Sequence, residues 1–218
     1  MNLHRLFIVS LVAVSPALAG VLYDNGPWDG TTAIDIVYPE FSALSDSFVL
    51  TSDAIVTGFN FVSLGEPGDS ISTVSWSITS GPVNTPSSGT LYGSAAGATV
   101  VKTPICAGCA LGYYDENTNS VSDLDLSLTA GTYYLNLFSA VAANFPAWAI
   151  SDGSSAAYYG GGNLANVYTA GTDSEAFQIL GSPRESPTPE PSSVILFGPG
   201  IAILAMRRRH KPSRTVFC

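Results

Sequence analysis

Histidine is nearly absent from this chain of 218 residues: His4 and His210, both close to its ends, are the only two. The imidazole is the usual general base of Ser-His-Asp triads and a frequent zinc ligand. Since the body of the chain has none, His-based acid–base catalysis, such triads and His-ligated zinc are excluded there. The body also has no recognisable nucleophile motif, and we therefore do not expect an enzyme.

Positive charge is almost as scarce in the body of the chain. Between residues 20 and 191 there are 17 acidic residues but only two basic ones, Lys102 and Arg184, which gives a net charge of −15 against −9 for the whole chain. A surface this acidic repels nucleic acid and anionic membrane surfaces. It permits solubility, repulsion between copies and the binding of divalent cations. The sequence therefore predicts no nucleic-acid partner.

The N-terminal segment has the pattern of a secretory signal peptide. A weakly basic start at Arg5 precedes the short apolar run 6–14. Ala17 and Ala19 are small residues at the spacing that a signal peptidase requires, and Gly20 would be the first residue of the mature protein. A transmembrane anchor is the alternative, but the apolar run is too short for it. We predict that the chain is exported.

Three features follow one another near the C-terminus. They are the tripeptide Pro189, Glu190 and Pro191, the uncharged stretch 192–206, and the cluster Arg207, Arg208 and Arg209. As a helix the stretch would span roughly 22 Å at ~1.5 Å per residue, less than the ~30 Å of bilayer hydrocarbon. Local thinning and snorkelling arginines could make up the difference, and the positive-inside rule would leave this end in the cytoplasm. We predict a short transmembrane helix.

This order of features resembles the PEP-CTERM sorting signal of Gram-negative bacteria. That signal consists of a Pro-Glu-Pro motif, an apolar helix with small residues and an arginine cluster, and the resemblance covers about 187–211. Pro199 inside the helix and the long extension to Cys218 depart from the usual pattern. The resemblance implies an exosortase-type membrane protease as partner, transient anchoring in the inner membrane, and final placement at the cell surface or in the extracellular matrix. It also implies association with exopolysaccharide or biofilm.

Long stretches of helical periodicity are missing from the body of the chain as well. Short runs of alternating apolar and polar residues, divided by Gly, Pro, Asn, Asp and Ser, predict about ten β-strands. In 72–79, for example, every second residue is large and apolar, and Trp76 is predicted to lie in the core. The alternating runs 124–128 and 133–137 are predicted to form a hairpin, and the Gly-rich stretch 158–163 a loop. We predict an all-β fold, an antiparallel two-sheet β-sandwich of jelly-roll type.

The composition changes at the Pro-rich stretch that begins near Pro183, which predicts an extended spacer without a core. The predicted organisation is a signal peptide 1–19, a β-sandwich domain 20–181, a linker with the Pro-Glu-Pro motif 182–191, a transmembrane segment 192–206 and a basic cytoplasmic tail 207–218.

Cysteine is rare, with three residues in the whole chain. Cys106 and Cys109 lie close together in a stretch that the sequence predicts to be a Gly-rich loop. A redox dithiol is one interpretation, although the βαβ surroundings of a thioredoxin-like site are missing. Zinc would need a second pair of ligands. We favour a small structural disulfide that forms after export.

One predicted loop has a cluster of oxygen-bearing side chains, the ligand type that calcium prefers. The candidate ligands are Asp115, Glu116, Asn117 and Asn119. The pattern is not an EF-hand, because the glycine and the distant glutamate of that loop are missing. A weaker group of the same kind is Asp24, Asn25 and Asp29. Solvated turns of an acidic protein are the alternative interpretation for both groups, and otherwise we expect no cofactor.

Aromatic side chains raise the possibility of sugar binding, because exposed rings can stack on sugars. Trp28 and Trp148 are candidates, and the pair Tyr158 and Tyr159 is the better candidate for a surface platform. Three classes of function remain: a non-enzymatic exported surface or matrix protein, a carbohydrate-binding module on the same sandwich, and a glycoside hydrolase that uses paired carboxylates. We favour the first class, since the sequence does not identify a carboxylate pair.

Overall fold

The computed structural model describes residues 19–36, 41–82, 89–144, 146–161, 167–169 and 174–184, and these ranges contain fifteen strands and no helix. The strands are β1 Gly20–Asp24, β2 Trp28–Asp35, β3 Phe41–Leu50, β4 Ala54–Gly65, β5 Thr73–Thr79, β6 Leu91–Thr99, β7 Val101–Ala110, β8 Tyr114–Val121, β9 Leu126–Leu128, β10 Gly131–Val141, β11 Ala147–Ser151, β12 Ala157–Gly161, β13 Val167–Thr169, β14 Ser174–Glu175 and β15 Phe177–Pro183.

The strands form two antiparallel sheets. In the first sheet, of nine strands, β4 is central: it pairs with β15, β11, β8 and β9, while β1 adds to β15, β2 and β14 to β11, and β7 to β8. The second sheet, of six strands, has the order β13-β12-β3-β10-β5-β6. The protein is therefore all-β, as predicted, and the two sheets are consistent with the predicted sandwich.

Side chains from both sheets fill one apolar core. Phe59 of the first sheet meets Trp76 of the second edge to face, with ring centroids 5.8 Å apart. Phe48 and Phe177 make a similar contact across the sheets at 6.4 Å. Such aromatic pairs add to the stabilisation that comes from burying their area. Trp76 is buried, which confirms its predicted place in the core.

The predicted hairpin of 124–128 with 133–137 is wrong. Strand β9 pairs with β4 in the first sheet, with Leu128 opposite Ala54. Strand β10 pairs with β3 and β5 in the second sheet. The chain thus crosses from one sheet to the other near Ala130, and both strands point apolar side chains at the same core from opposite sides. A period of two predicts each buried face but cannot tell neighbouring strands from facing ones.

The loop predicted over 158–163 is also corrected in part, because 157–161 forms strand β12. Tyr158 lies opposite Ser45 of β3, and Gly160 opposite Val167 of β13. Glycine lowers strand propensity, but its backbone still pairs, and two neighbouring strands here supply partners on both sides. Residues 162 and 163 lie outside the described residues.

In the sequence, the ends of the described sandwich lie close to the predicted processing sites. Strand β1 begins at Gly20, which pairs with Gly181. Strand β15 continues to Pro183, two residues beyond the predicted domain end, and the Arg184 N–H donates to the Asp53 carbonyl at 2.7 Å. The described strands belong to a compact unit that ends at Arg184.

Most of the targeting segments lie outside the described residues. These include Ala17, the motif 189–191, the stretch 192–206 and the arginine cluster 207–209. In the part of the chain that the structure describes, no helix is long and apolar enough to cross a membrane.

Candidate functional site: the β7–β8 hairpin and a buried carboxylate

The predicted cysteine pair and the main group of oxygen ligands all lie on one hairpin, formed by β7 and β8. Both stretches were predicted to be loops, and both predictions are wrong. Strand β8 forms despite its polar sequence because β4 pairs with it on one side and β7 on the other. Among the described strands, β7 pairs with β8 alone and forms an edge of the first sheet.

The side chains of β8 alternate between the two faces of the sheet. Asp115, Asn117 and Asn119 are buried on the inner face, while Glu116 is half-buried on the opposite face. The four predicted calcium ligands therefore do not converge on one point. This separation follows from the strand period of two, which a loop would not have imposed.

Asp115 ties the hairpin to the turn that follows β4. Its carboxylate accepts the Gly68 N–H at 2.9 Å and the Gly108 N–H at 2.8 Å. These two donors, Gly68 foremost, hold the pKa of Asp115 below its usual range, because they stabilise the ionised form. Gly108 has a φ of 63°, a left-handed conformation that favours glycine. This explains why a glycine occupies position 108, where the backbone N–H must point at Asp115.

The inner face also has a group of oxygens that accept no hydrogen bond from the described residues. They are Asn117 Oδ1, Asn119 Oδ1 and Asp69 Oδ2, all buried. The amide of Asn119 is oriented by its neighbours: its Nδ2 donates to Ser63 Oγ at 2.7 Å and lies 3.5 Å from the Phe61 carbonyl oxygen. We call Asp69, Asp115, Asn117 and Asn119 the inner oxygen cluster.

Calcium prefers oxygen ligands of this kind. Asp115 and Asn119, however, lie four residues apart on strand β8, roughly 13 Å at ~3.3 Å per residue, so they cannot both ligate one ion. The cluster already has one positive charge beside it, because Lys102 Nζ donates to the Asp69 carbonyl oxygen at 2.5 Å. A divalent ion would therefore have to bind next to an ammonium group, which opposes it electrostatically.

On the other face of the hairpin, Cys106 and Cys109 form a disulfide, with their Cα atoms 5.9 Å apart. Glu116 Oε2 lies 3.7 Å from Cys106 Sγ, and burial raises the pKa of this carboxyl. The two sulfurs and the carboxylate all lie within 4.8 Å of one another. Since a metal needs thiolates, these three groups could ligate one only after the disulfide is reduced.

A second site, Asp46 of β3, was not singled out from the sequence. Its side chain is 0% exposed and points into the core, where Asp46 lies opposite Leu135. The carboxylate accepts the Ser47 N–H at 2.6 Å and, across the sandwich, the Glu175 N–H at 2.5 Å. Burial is the largest influence on this group and raises its pKa to about 6, although the hydrogen bonds act in the opposite direction.

Polar side chains of strand β14 and of two connecting segments surround Asp46. Asn25 Nδ2 donates to Asp46 Oδ2 at 3.2 Å, and Ser174 Oγ donates to the same oxygen at 3.4 Å. Ser155 and Ser174 are hydrogen-bonded to each other. One signal could have identified the site: Leu44, Asp46 and Phe48 share the inward period of β3, so a carboxylate stands where an apolar residue is expected.

The weaker predicted calcium group, Asp24, Asn25 and Asp29, does not converge. Asn25 is buried beside Asp46, whereas Asp24 is exposed and accepts the Gly26 N–H at 2.9 Å. Asp29 accepts the Thr31 N–H at 2.7 Å in a local turn. The two carboxylates therefore cap backbone turns, as the alternative interpretation expected.

The aromatic candidates divide between the core and the surface. Trp148 is fully buried, which removes it as a sugar platform, and Tyr158 is half-buried against Tyr134, with ring centroids 5.8 Å apart. Tyr23 and Trp28 instead line a surface cleft of roughly 400 Å³. Its other lining residues are Asp24, Asn25, Gly26, Pro27, Asp152, Gly153 and Ser154.

No protein-family model matches this chain, and no curated protein matches it in sequence. The resemblance of 187–211 to a sorting signal therefore stays a prediction.

Proposed function

We propose that this chain is a non-enzymatic exported protein of the cell surface or extracellular matrix, sorted through its C-terminal signal and associated with exopolysaccharide or biofilm. The observation that carries the proposal is the order of segments: a signal peptide at one end, and a Pro-Glu-Pro motif, an apolar stretch and an arginine cluster at the other. Strands β1 and β15 support it, because the first begins at Gly20 and the second ends at Pro183, so both lie between the two predicted cuts.

The non-enzymatic part of the proposal is supported by how the buried carboxylate is used. Asp46 has a raised pKa, which in a cleft would mark a candidate acid or base. Here the side chain is 0% exposed and takes its hydrogen bonds from Ser47, Glu175 and their neighbours. A glycoside hydrolase needs two carboxylates that the sugar can reach. Asp46 instead joins the two sheets.

The finer fold is part of the same proposal. The chain passes between the sheets several times, for example from β4 to β5, from β6 to β7 and from β10 to β11. Repeated crossings of this kind are typical of Greek-key and jelly-roll sandwiches, and we take the domain as jelly-roll-like, followed by a short transmembrane helix at 192–206.

The test is the processing of a Glu190→Ala variant in the native host. We expect the variant to be exported but not cut, so that the uncut form accumulates in the inner membrane. Glu185→Ala, in the same linker but outside the motif, is the matched control and should be processed like the parent. If Glu190→Ala were cut and released like the parent, the sorting proposal would fail and a plain single-span anchor would replace it.

A carbohydrate-binding module is the second candidate, and the cleft beside Trp28 favours it. The cleft joins two aromatic side chains with the carboxylates of Asp24 and Asp152, a combination suited to a sugar ring and its hydroxyls. Binding to a panel of glycans, including the host exopolysaccharide, tests this candidate. Trp28→Ala should abolish binding, while Tyr92→Ala, at an exposed ring outside the cleft, should not. Absence of binding to every glycan would remove the candidate.

Calcium at the inner oxygen cluster is tested by thermal unfolding with and without millimolar calcium. Sites of extracellular modules bind calcium with Kd of about 10⁻⁴–10⁻³ M, so about 10 mM would stabilise a folded domain by roughly 1–3 kcal/mol. A rise in Tm that Asp69→Asn removes and Asp152→Asn retains would support the site. An unchanged Tm would mean that no calcium binds there and that the Lys102 ammonium is the cation beside Asp69.

A further inference from the structure

The disulfide of the β7–β8 hairpin lies where the fold does not need a covalent link. The backbone pairs on both sides of it, with Pro104 opposite Asn117 and Ala110 opposite Tyr114. The Gly108 N–H between the two cysteines is already held by Asp115 at 2.8 Å. A loop closed over a separation of three residues also removes little entropy from the unfolded chain, less than the ~3 kcal/mol of a 15-residue loop.

The two sulfurs of the disulfide are in different environments. Cys109 is exposed to solvent, whereas Cys106 is half-buried and has Glu116 Oε2 at 3.7 Å from its sulfur. An incoming nucleophile therefore reaches Cys109 more readily. When the bond breaks, Cys106 is the sulfur that leaves, and a carboxyl group stands beside it.

The neighbouring carboxyl matters because this domain is poor in cations. Reactive cysteines usually have a nearby positive charge that stabilises the thiolate. Lys102, one of two basic residues between 20 and 191, is bound to the Asp69 carbonyl on the inner face. Glu116 Oε2, 3.7 Å from Cys106 Sγ, is the described acidic group placed to give a proton to the leaving sulfur.

Several exposed apolar side chains lie close to the two cysteines in the sequence. Ile105 is 51% exposed, Leu111 57% and Tyr113 53%, all within a few residues of the cysteines. Exposed apolar side chains this close in the sequence favour a cysteine that is flanked by apolar residues in another polypeptide. It gives no similar advantage to glutathione, an anionic thiol that the acidic domain repels.

We propose that the Cys106–Cys109 disulfide is a thiol-exchange site, in which a polypeptide thiolate attacks Cys109 and Glu116 passes a proton to Cys106. The new bond joins Cys109 to the incoming sulfur, and the bond to Cys106 breaks. Cys106 leaves with the electron pair and takes the proton of Glu116, which then regains a proton from water. A second thiol attacks the incoming sulfur and releases Cys109 as a thiol. Two external thiols are thus oxidised to one disulfide, and Cys106 and Cys109 together gain two electrons and two protons.

The experiment follows exchange on the full-length chain, purified in detergent. The chain is incubated with a synthetic peptide that contains one cysteine between apolar residues, or with glutathione, then quenched in acid and alkylated. Peptide mapping by mass spectrometry locates the mixed disulfide and separates it from Cys218. We expect the adduct on Cys109, and faster exchange with the peptide than with glutathione. Equal labelling of Cys106 and Cys109, or no adduct with either thiol, would overturn the proposal.

The role of Glu116 is tested with two variants. Glu116→Gln keeps the shape of the side chain but has no acidic proton to give to Cys106. Exchange should therefore slow by at least about tenfold. Glu66→Gln, at an exposed acidic residue of another turn, is the matched control and should exchange like the parent. Parent-like exchange by Glu116→Gln would refute the proton transfer, while near-UV circular dichroism checks that both variants are folded.

Discussion

At the scale of single residues, the side chain with the largest consequence is the Asp46 carboxylate. It links the two sheets through backbone and side-chain donors, and it is fully buried. Burial raises its pKa from the ordinary 3.8 to about 6, so the folded state binds a proton more tightly than the unfolded state between these values. The stabilising effect of its protonation is fully present below pH 3.8 and is lost as the pH rises through about 6.

The pH dependence of unfolding tests this linkage. A shift of this size corresponds to about 3 kcal/mol of unfolding free energy, at ~1.4 kcal/mol per pH unit. We expect the parent to gain stability between pH 7 and pH 5 in urea unfolding followed by fluorescence. Asp152→Asn, at an exposed residue, should keep that slope, and Asp46→Asn should lose it. The same slope in Asp46→Asn and the parent would contradict the raised pKa.

Asp46→Asn should also lower stability at pH 5, where the carboxyl of the parent is mostly protonated and the substitution removes little buried charge. Both oxygens of Asp46 accept backbone N–H groups, Ser47 at one and Glu175 at the other. An amide has a single oxygen, so its NH₂ group would meet one of these donors, and an unpaired buried donor costs roughly 1–3 kcal/mol. Urea unfolding at pH 5 measures the loss. A variant as stable as the parent would mean that the carboxylate does not hold the sheets.

At the scale of elements, strand β15 pairs with β1 on one side and with β4 on the other. A side chain at Gly181 would meet the Ile55 carbonyl oxygen at a distance of 2.1 Å. We expect Gly181→Ala to destabilise the domain by roughly 1–3 kcal/mol, since a backbone atom would have to move. Gly131→Ala is the control, because its nearest neighbour, a ring atom of Tyr133, is 3.7 Å away. Equal melting temperatures for the two variants would contradict this packing.

In contrast to Gly181, the disulfide of the β7–β8 hairpin should contribute little to stability. Replacing Cys106 and Cys109 together by Ser should leave the domain folded, with a loss of less than about 3 kcal/mol, because the loop it closes is short. Circular dichroism and thermal unfolding measure the effect. Loss of the folded state would show that the domain needs the disulfide to fold and that the strand pairing around it does not hold the hairpin by itself.

The sequence predicted some elements well and others poorly, for physical reasons. The alternation around Trp76 predicted a buried strand, because a period of two is direct information about one face. The same pattern in 124–128 and 133–137 could not reveal that these strands face each other across the core. The polar run 115–119 was taken as a loop, because its strand depends on pairing with β4 and β7, a tertiary effect. The charge of Asp46 at an inward position of β3 can be read from the sequence. Its partners Asn25 and Glu175 cannot, because they lie far from it along the chain.

At the scale of the whole molecule, the described sandwich belongs to a compact unit that ends at Arg184, and the proposed sorting signal follows it in the sequence. The last hydrogen bond of the described sandwich is that of the Arg184 N–H with the Asp53 carbonyl. A chain of residues 20–184 should therefore be soluble and folded. A chain that ends at Gly181 loses the pairs of Ser182 and Pro183 with β4 and should be less stable. Size-exclusion chromatography and thermal unfolding compare the two. An insoluble 20–184 chain would mean that the tail contributes to the fold.

The central claim, that both ends are removed on the way to the cell surface, is tested most directly by intact-mass analysis of the protein isolated from its native envelope. We expect the mass of a chain that begins at Gly20 and ends close to Pro189, Glu190 and Pro191, plus the mass of any group attached there by the exosortase-type protease. A protein that still begins at Met1, or that still ends at Cys218 after reaching the cell surface, would contradict the claim.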